Sequence, residues 1–261
     1  MNVNDGKRPA AAFVIVQNEP VWLPIWFDYY SKHVGARNVF VLDHDSTDTT
    51  AIEAVAARGA NVVPVHREFS YDHRWLRDIV ERFQAFLLKS YTTVLFAEVD
   101  EFLISTMPGG LSELLFAVRW NNSVSAEGYN VVHYKDEEPP LNWTKRPLLA
   151  QRKYWHPSLM YSKTVIARQP LYWTPGFHHI QSGDGPTHPN LFLAHLHRID
   201  WTYVRAKHEE QARRKWNDND RFEGAGVQNR IIDYAGLTQY FYHDADLGPR
   251  ENIPELIQVS I

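Results

Sequence analysis

The chain has 261 residues, with 27 Lys and Arg against 31 Asp and Glu and a net charge of -4 with histidine neutral. No basic block or stripe stands out, so nucleic acid is not an expected partner. The absence of cysteine excludes disulfides, zinc–thiolate sites and thiol nucleophiles. The length suits one core at the upper end of single-domain size, here one α/β domain with an irregular second half. Aromatic residues make up 13% of the chain, with 9 Trp and 13 Tyr; such rings fill a core or offer flat platforms with a polar handle. The first twenty residues lack the apolar core of a secretory signal. No apolar run approaches the roughly 20 residues that span a bilayer. A cytoplasmic chain is expected, with peripheral contact to a membrane left open.

Four apolar runs in the first half read as strands: Phe13 to Val16, Val39 to Leu42, Asn61 to Val65 and Thr93 to Ala97. Pro64 marks the third as an edge or irregular strand. Between them, Glu19 to His33, Ser46 to Arg58 and Trp75 to Tyr91 are long enough for helices. Ser46 or Thr47 would cap the second helix and Gly59 would end it. Trp75, Ile79, Phe83, Phe86 and Leu87 form an apolar stripe at helical spacing on the third. Strands alternating with helices imply a mostly parallel sheet flanked by helices. Further on, Leu111 to Trp120 reads as a short helix and Glu127 to Tyr134 as a strand. Pro139 to Pro189 is dense in Pro, Trp, His and Gly and reads as loops and short strands. Asp200 opens a helical stretch to about Trp216, Gln228 to Tyr234 adds a short one, and the tail after Gly248 is a docked arm or a frayed end.

Polar groups follow each expected strand. Asn18 and Glu19 follow the first, Asp43, Asp45 and Asp48 the second, Glu68 and Asp72 the third, and Glu98, Asp100 and Glu101 the fourth. Ligands of open parallel sheets bind outside the carboxyl ends of the strands. In extended chain, Glu98 and Asp100 would face one way, as would Asp43 and Asp45, with His44 on the opposite side. Paired carboxylates on one face repel each other, and a divalent cation relieves that cost. A solvated acidic turn is the plainer alternative for Glu98 to Glu101, and helix capping for Ser46 to Asp48.

The segment FVIVQNEPVWLPIWFDYYSKHVGARNVFVLDHDSTDTT is similar to the opening of family 2 and family 92 type glycosyltransferases. The resemblance is carried by Asn18-Glu19, Leu23-Pro24-Ile25-Trp26, Gly35 and the Asp-x-x-Ser-x-Asp turn from Asp43 to Asp48. FAEVDEFL resembles the family's Asp-x-Asp-Glu-Phe segment, with Glu98 in place of the first Asp. YSKTVIARQPLYWTPGFHHI and LAHLHRIDWTYVRAKH resemble its later segments more loosely. The resemblance implies a single domain of GT-A type, Rossmann-like, with a nucleotide-binding half over about 10–110 and an acceptor-side half over about 111–261. It implies transfer of a sugar, usually with inversion, from a nucleotide-diphosphate donor of the UDP- or GDP-sugar class to a glycan, lipid or protein hydroxyl.

On that resemblance Asn18, Glu19, Asp43, Asp45 and Glu98 serve the donor, and Asp100 with Glu98 holds the metal. A late histidine completes the metal shell. His195 is the choice because it stands twelve residues before Lys207, with His197 close behind. An imidazole beside carboxylates suits Mn²⁺ better than Mg²⁺. The diphosphate needs cations, for which Arg74, Arg77, Lys163, Arg198 and Lys207 are candidates. His178 and Asp184, with His179 and Asp136 to Glu138 as alternatives, are candidates on the acceptor side, where a base must reach the attacking hydroxyl. Competing readings are nucleotidyl transfer, disfavoured by the Gly-free segment QNEPVWLP after the first strand, a non-catalytic carbohydrate-binding protein, and metal-dependent hydrolysis on the His-x-His pair.

Overall fold

All four apolar runs of the first half are strands. A computed structural model describes residues 6–69, 72–223 and 226–261. In chain order come β1 (Arg8–Val16), α1 (Trp22–Val34), β2 (Val39–His44), α2 (Thr50–Ala57), β3 (Asn61–Val65), α3 (His73–Leu87) and β4 (Tyr91–Phe96). β1 lies parallel to β2 and to β4, and β2 lies parallel to β3. β3 is the outer strand, where a proline that cannot donate to the ladder is tolerated. Both faces of this half are covered. Ala10, Ala12, Val14 and Val16 of β1 pack with α1 and α2, whereas Ala11 and Phe13 pack with α3 on the other face. That is the period-2 alternation of a buried parallel strand.

The α2 cap differs from expectation. The helix starts at Thr50, and neither Ser46 nor Thr47 caps it. Their groups instead tie two loops together. Ser46 Oγ accepts from the Asn18 backbone N–H (3.0 Å), and Asn18 Oδ1 accepts from the Thr47 and Asp48 backbone N–H groups (2.8 and 3.1 Å). α3 begins two residues earlier than the sequence suggests because Asp72 caps it, accepting from Trp75 N–H at 3.1 Å. Phe86 leaves the apolar stripe and is 65% exposed. Asp72 also receives the Arg67 guanidinium at 2.6 Å. Asp72→Ala is expected to cost about 1–2 kcal/mol, measured by urea unfolding. A loss too small to measure would show that the cap contributes nothing.

The second half contains β5 (Glu101–Ser105), α4 (Gly110–Ala117), β6 (Ser123–Val131), β7 (Tyr154–Pro157), β8 (Thr164–Ala167), β9 (Thr187–His195), α5 (Trp201–Arg213), α6 (Asp218–Glu223), α7 (Tyr234–His243), β10 (Glu251–Asn252) and α8 (Glu255–Gln258). The sheet turns mixed here. β8 is antiparallel to β4 and β6, β6 is parallel to β9, and β9 is antiparallel to β5. β5 is a strand that no expectation covered, and two α1 tyrosines hold it. Tyr29 donates to Leu103 O (2.6 Å), while Tyr30 donates to Glu101 O (3.1 Å) and accepts from Leu103 N–H (3.0 Å). The tail is a docked arm: β10 pairs with β7, and Ile253, Ile257 and Ile261 are buried in the main core. Among the described residues no helix is long and apolar enough to cross a membrane.

Candidate metal centre and cleft

The parallel register brings the carboxyl ends of β1 and β2 level, Val16 beside Asp43. After β4 the chain turns instead of running extended: Glu101 N–H donates to Glu98 O at 3.0 Å. The turn separates the two acids that extended chain would have aligned. Glu98 goes to Lys163 Nζ at 3.2 Å. Asp100 goes to the histidines at the end of β9, with Oδ2 3.2 Å from His197 Nδ1 and 3.8 Å from His195 Nε2. Asp100, His195 and His197 each offer a ligand atom, all within 4.8 Å of one another. Glu98 is not in this cluster.

Proton positions in the cluster follow from the partners of each nitrogen. His195 Nδ1 lies 2.7 Å from Asn130 Oδ1. The Asn130 amide is oriented by its Nδ2, which donates to Asp246 Oδ2 at 3.1 Å. His195 therefore carries its proton on Nδ1 and turns a bare Nε2 to Asp100. His208 Nδ1 lies 2.9 Å from Ile231 O, which only accepts, so His208 Nε2 is bare. The 3.0 Å contact between His208 Nε2 and His197 Nε2 then takes its proton from His197. His197 thus faces an acceptor at each nitrogen, His208 Nε2 and Asp100 Oδ2, and a neutral ring can donate to only one of them. Burial pushes His195 well below the usual imidazole range, and burial followed by His197 brings His208 down to about 4. Burial pushes the Asp100 carboxyl up, but the His197 hydrogen bond and the two imidazoles outweigh it and hold Asp100 well below the usual carboxylate range. His195 Nε2, His197 Nδ1 and the Asp100 carboxylate converge on one point. Three ligand atoms this close can hold a metal ion.

The cluster opens into a cleft of about 240 Å³ whose lining includes Gln17, Glu19, His44, Glu98, His178 and Arg214. Glu19 pairs with Lys207 Nζ at 2.7 Å, and its Oε2 is buried without a hydrogen-bond partner. Burial raises the Glu19 carboxyl against the pull of Lys207. His178 donates from Nδ1 to Met160 O at 3.0 Å, which leaves Nε2 bare, and burial keeps the ring below its ordinary pKa. Gly176 just before it has φ +83°, and a Cβ there would meet the His178 ring at 3.0 Å, so only glycine fits.

No family model matches the chain, and no curated protein matches it. Among solved structures it is similar to a mannosyltransferase, PcManGT from Pyrobaculum calidifontis in complex with GDP-Man and Mn²⁺. The identity there is 13% and the TM-score 0.41, over 79% of this chain and 62% of that one. This chain thus spans less than two thirds of that protein's length. It is also similar to a 4-diphosphocytidyl-2C-methyl-D-erythritol synthase from Anaerococcus prevotii at 16% identity and TM-score 0.30, covering 52% of this chain and 60% of that one. A UDP-glucose pyrophosphorylase complexed with UDP-glucose follows at 8% identity and TM-score 0.28, covering 62% and 72%.

Several residues singled out by sequence stand outside the cleft lining. Asp43 Oδ1 accepts from Ser46 N–H at 3.1 Å and Asp45 pairs with His66 at 2.5 Å. His44, on the opposite side as the alternation required, lines the cleft and packs on Trp75. Asn18 braces the two loops. Arg77 pairs with Asp78 at 3.0 Å and Glu81 at 3.8 Å on α3. Among the described residues, the arginine that lines the cleft is Arg214, which donates to Gln17 O at 3.2 Å. Asp184 accepts from Ile180 N–H (3.0 Å) and pairs with His179 (2.8 Å), bracing its own loop. Asn130 and Asp246 carry no motif and only the fold reveals them, and His208, which ends the segment LAHLHRIDWTYVRAKH, gains its place behind His197 only from the fold. The acids and arginines were chosen for charge, but charge alone does not say which are already neutralised by a neighbour.

Proposed function

We propose that this chain is a divalent-metal-dependent glycosyltransferase that takes its sugar from a nucleoside-diphosphate donor. The observation that carries the reading is the convergence of Asp100, His195 and His197 at the carboxyl edge of the sheet, beside a polar cleft. Those three residues would hold the ion, and two imidazoles beside a carboxylate favour Mn²⁺ over Mg²⁺. When bound, the ion supplies positive charge against a diphosphate. Three protein ligands leave coordination positions for phosphate oxygens. Arg214, ion-paired with Glu210, also stands on the cleft wall. His178 presents an unprotonated Nε2 and serves as the proton acceptor for the attacking hydroxyl. Nucleotidyl transfer is the alternative. The absence of glycine between Gln17 and Pro24 weighs against it, because nucleotide triphosphates are usually cradled by a glycine-rich turn there.

Thermal denaturation with GDP or UDP, with and without Mn²⁺, tests the reading. A ligand at 100 times its Kd adds about 2.7 kcal/mol, which for a chain of this size is roughly 5–10 °C. The shift is expected only with metal and nucleotide together. With a sugar donor, nucleoside diphosphate should be released. Release of inorganic pyrophosphate from a nucleoside triphosphate and a sugar phosphate would replace this reading with nucleotidyl transfer. No metal-dependent shift with either nucleotide would overturn it.

A further inference from the structure

An imidazole ligates through the nitrogen that carries no proton, and the partner of its other nitrogen decides which that is. For His195 that partner is Asn130, opposite it in register on the neighbouring strand. A buried amide can present either its oxygen or its NH₂, and those two choices give opposite tautomers. The far end of the amide settles it. Asn130 Nδ2 lies 3.1 Å from Asp246 Oδ2, a carboxylate that only accepts. Asp246, in the segment after α7, has a second set of contacts. It accepts from Ser158 Oγ and from Met160 N–H at 3.2 Å. These residues immediately precede Tyr161, whose ring stacks on His195 at 3.7 Å and 17°.

We propose that Asp246 is a positioning residue of the metal centre: through Asn130 it leaves His195 Nε2 bare, and through Ser158 and Met160 it holds the tyrosine that fixes the ring plane. The inference rests on the metal reading above. It makes the C-terminal segment, which touches no ligand atom, a determinant of metal affinity. An asparagine at this place can turn its NH₂ to Asn130, which flips the Asn130 amide and puts the His195 proton on Nε2, facing the ion.

Mn²⁺ titration calorimetry on the full chain tests this. Asp246→Asn is expected to weaken Mn²⁺ binding about 10- to 100-fold, the usual effect of losing such an outer partner. The double variant Asn130→Asp with Asp246→Asn reverses the carboxylate–amide pair and again offers an acceptor to His195 Nδ1, so its affinity should return to within about threefold of the parent. A residue that served only folding would not respond to this exchange. Single-variant affinity within about threefold of the parent, or a double variant no better than the single, overturns the proposal. Should Asp246→Asn fail to fold, side-chain ¹⁵N NMR of the metal-free native chain decides. His195 should show a protonated Nδ1 and a bare Nε2, and the opposite tautomer overturns the proposal. A native chain that binds no Mn²⁺ would remove the metal reading, and the tautomer would still be measured.

Discussion

Asp100→Asn is expected to abolish measurable Mn²⁺ binding while leaving the fold intact. The amide keeps the size of the side chain, and the backbone carbonyl of residue 100 still accepts from Leu196 N–H, at 2.8 Å in the native chain. What disappears is the one anionic donor between His195 Nε2 and His197 Nδ1. Loss of an outer partner of a metal ligand costs about 10- to 100-fold, so loss of the ligand should exceed about 100-fold, or about 2.7 kcal/mol. Calorimetry with Mn²⁺, alone and with GDP or UDP, reads the change, and circular dichroism checks the fold. Unaltered metal affinity would overturn the assignment of Asp100 as a metal ligand.

Lys163→Met should produce the largest loss of stability among single substitutions near the site. Lys163 is 2% exposed and Glu101 0%, and their charged groups lie 2.6 Å apart at the start of β5. Burial pushes the Glu101 carboxyl up, against the pull of Lys163. Removing one partner of a buried pair leaves the other uncompensated, at about 3–5 kcal/mol. For a chain of this size that lowers Tm by roughly 6–20 °C. The double variant Lys163→Met with Glu101→Gln should recover much of the loss. It removes the stranded charge and keeps an acceptor for Glu98 N–H, which donates to Glu101 Oε2 at 3.0 Å. A cost below about 1 kcal/mol for Lys163→Met alone would show that the pair is not desolvated in solution.

The acidic residues after Ala97 illustrate how far pattern reading reaches. Sequence points to this stretch because acids cluster at the end of an apolar run. It pairs Glu98 with Asp100 on one face, and the fold gives Glu98, Asp100 and Glu101 each a different neighbour. Glu98 faces Lys163 at the cleft, Asp100 faces two histidines, and Glu101 is sealed in the core with the same lysine. The turn from Glu98 to Glu101 decides this, and turns are set by what the chain packs against. Of the two strands that flank the answer, β5 is hidden and β9 shows only as the apolar run Leu191 to Ala194. β5 begins immediately after the turn, and β9 rises from a segment rich in Pro and Gly.

By itself the sequence determined the parallel half of the sheet, the alternation of strand and helix over the first hundred residues, and the edge at which polar groups collect. Those features follow from periodicity and short-range stereochemistry, which act within a few residues. His195 and His197 stand out on the same local grounds, as alternate residues after an apolar run. Tertiary structure decided which groups share a site. It placed Asn130 beside His195, His208 behind His197 and Asp246 behind Asn130, across 65, 11 and 116 residues of chain. It also turned Asp43, Asp45 and Arg77 to other partners and brought Arg214 to the cleft wall. Hydrogen-bond partnership depends on distances of about 3 Å between groups that chain order does not relate, and packing of the second half onto the first sets those distances.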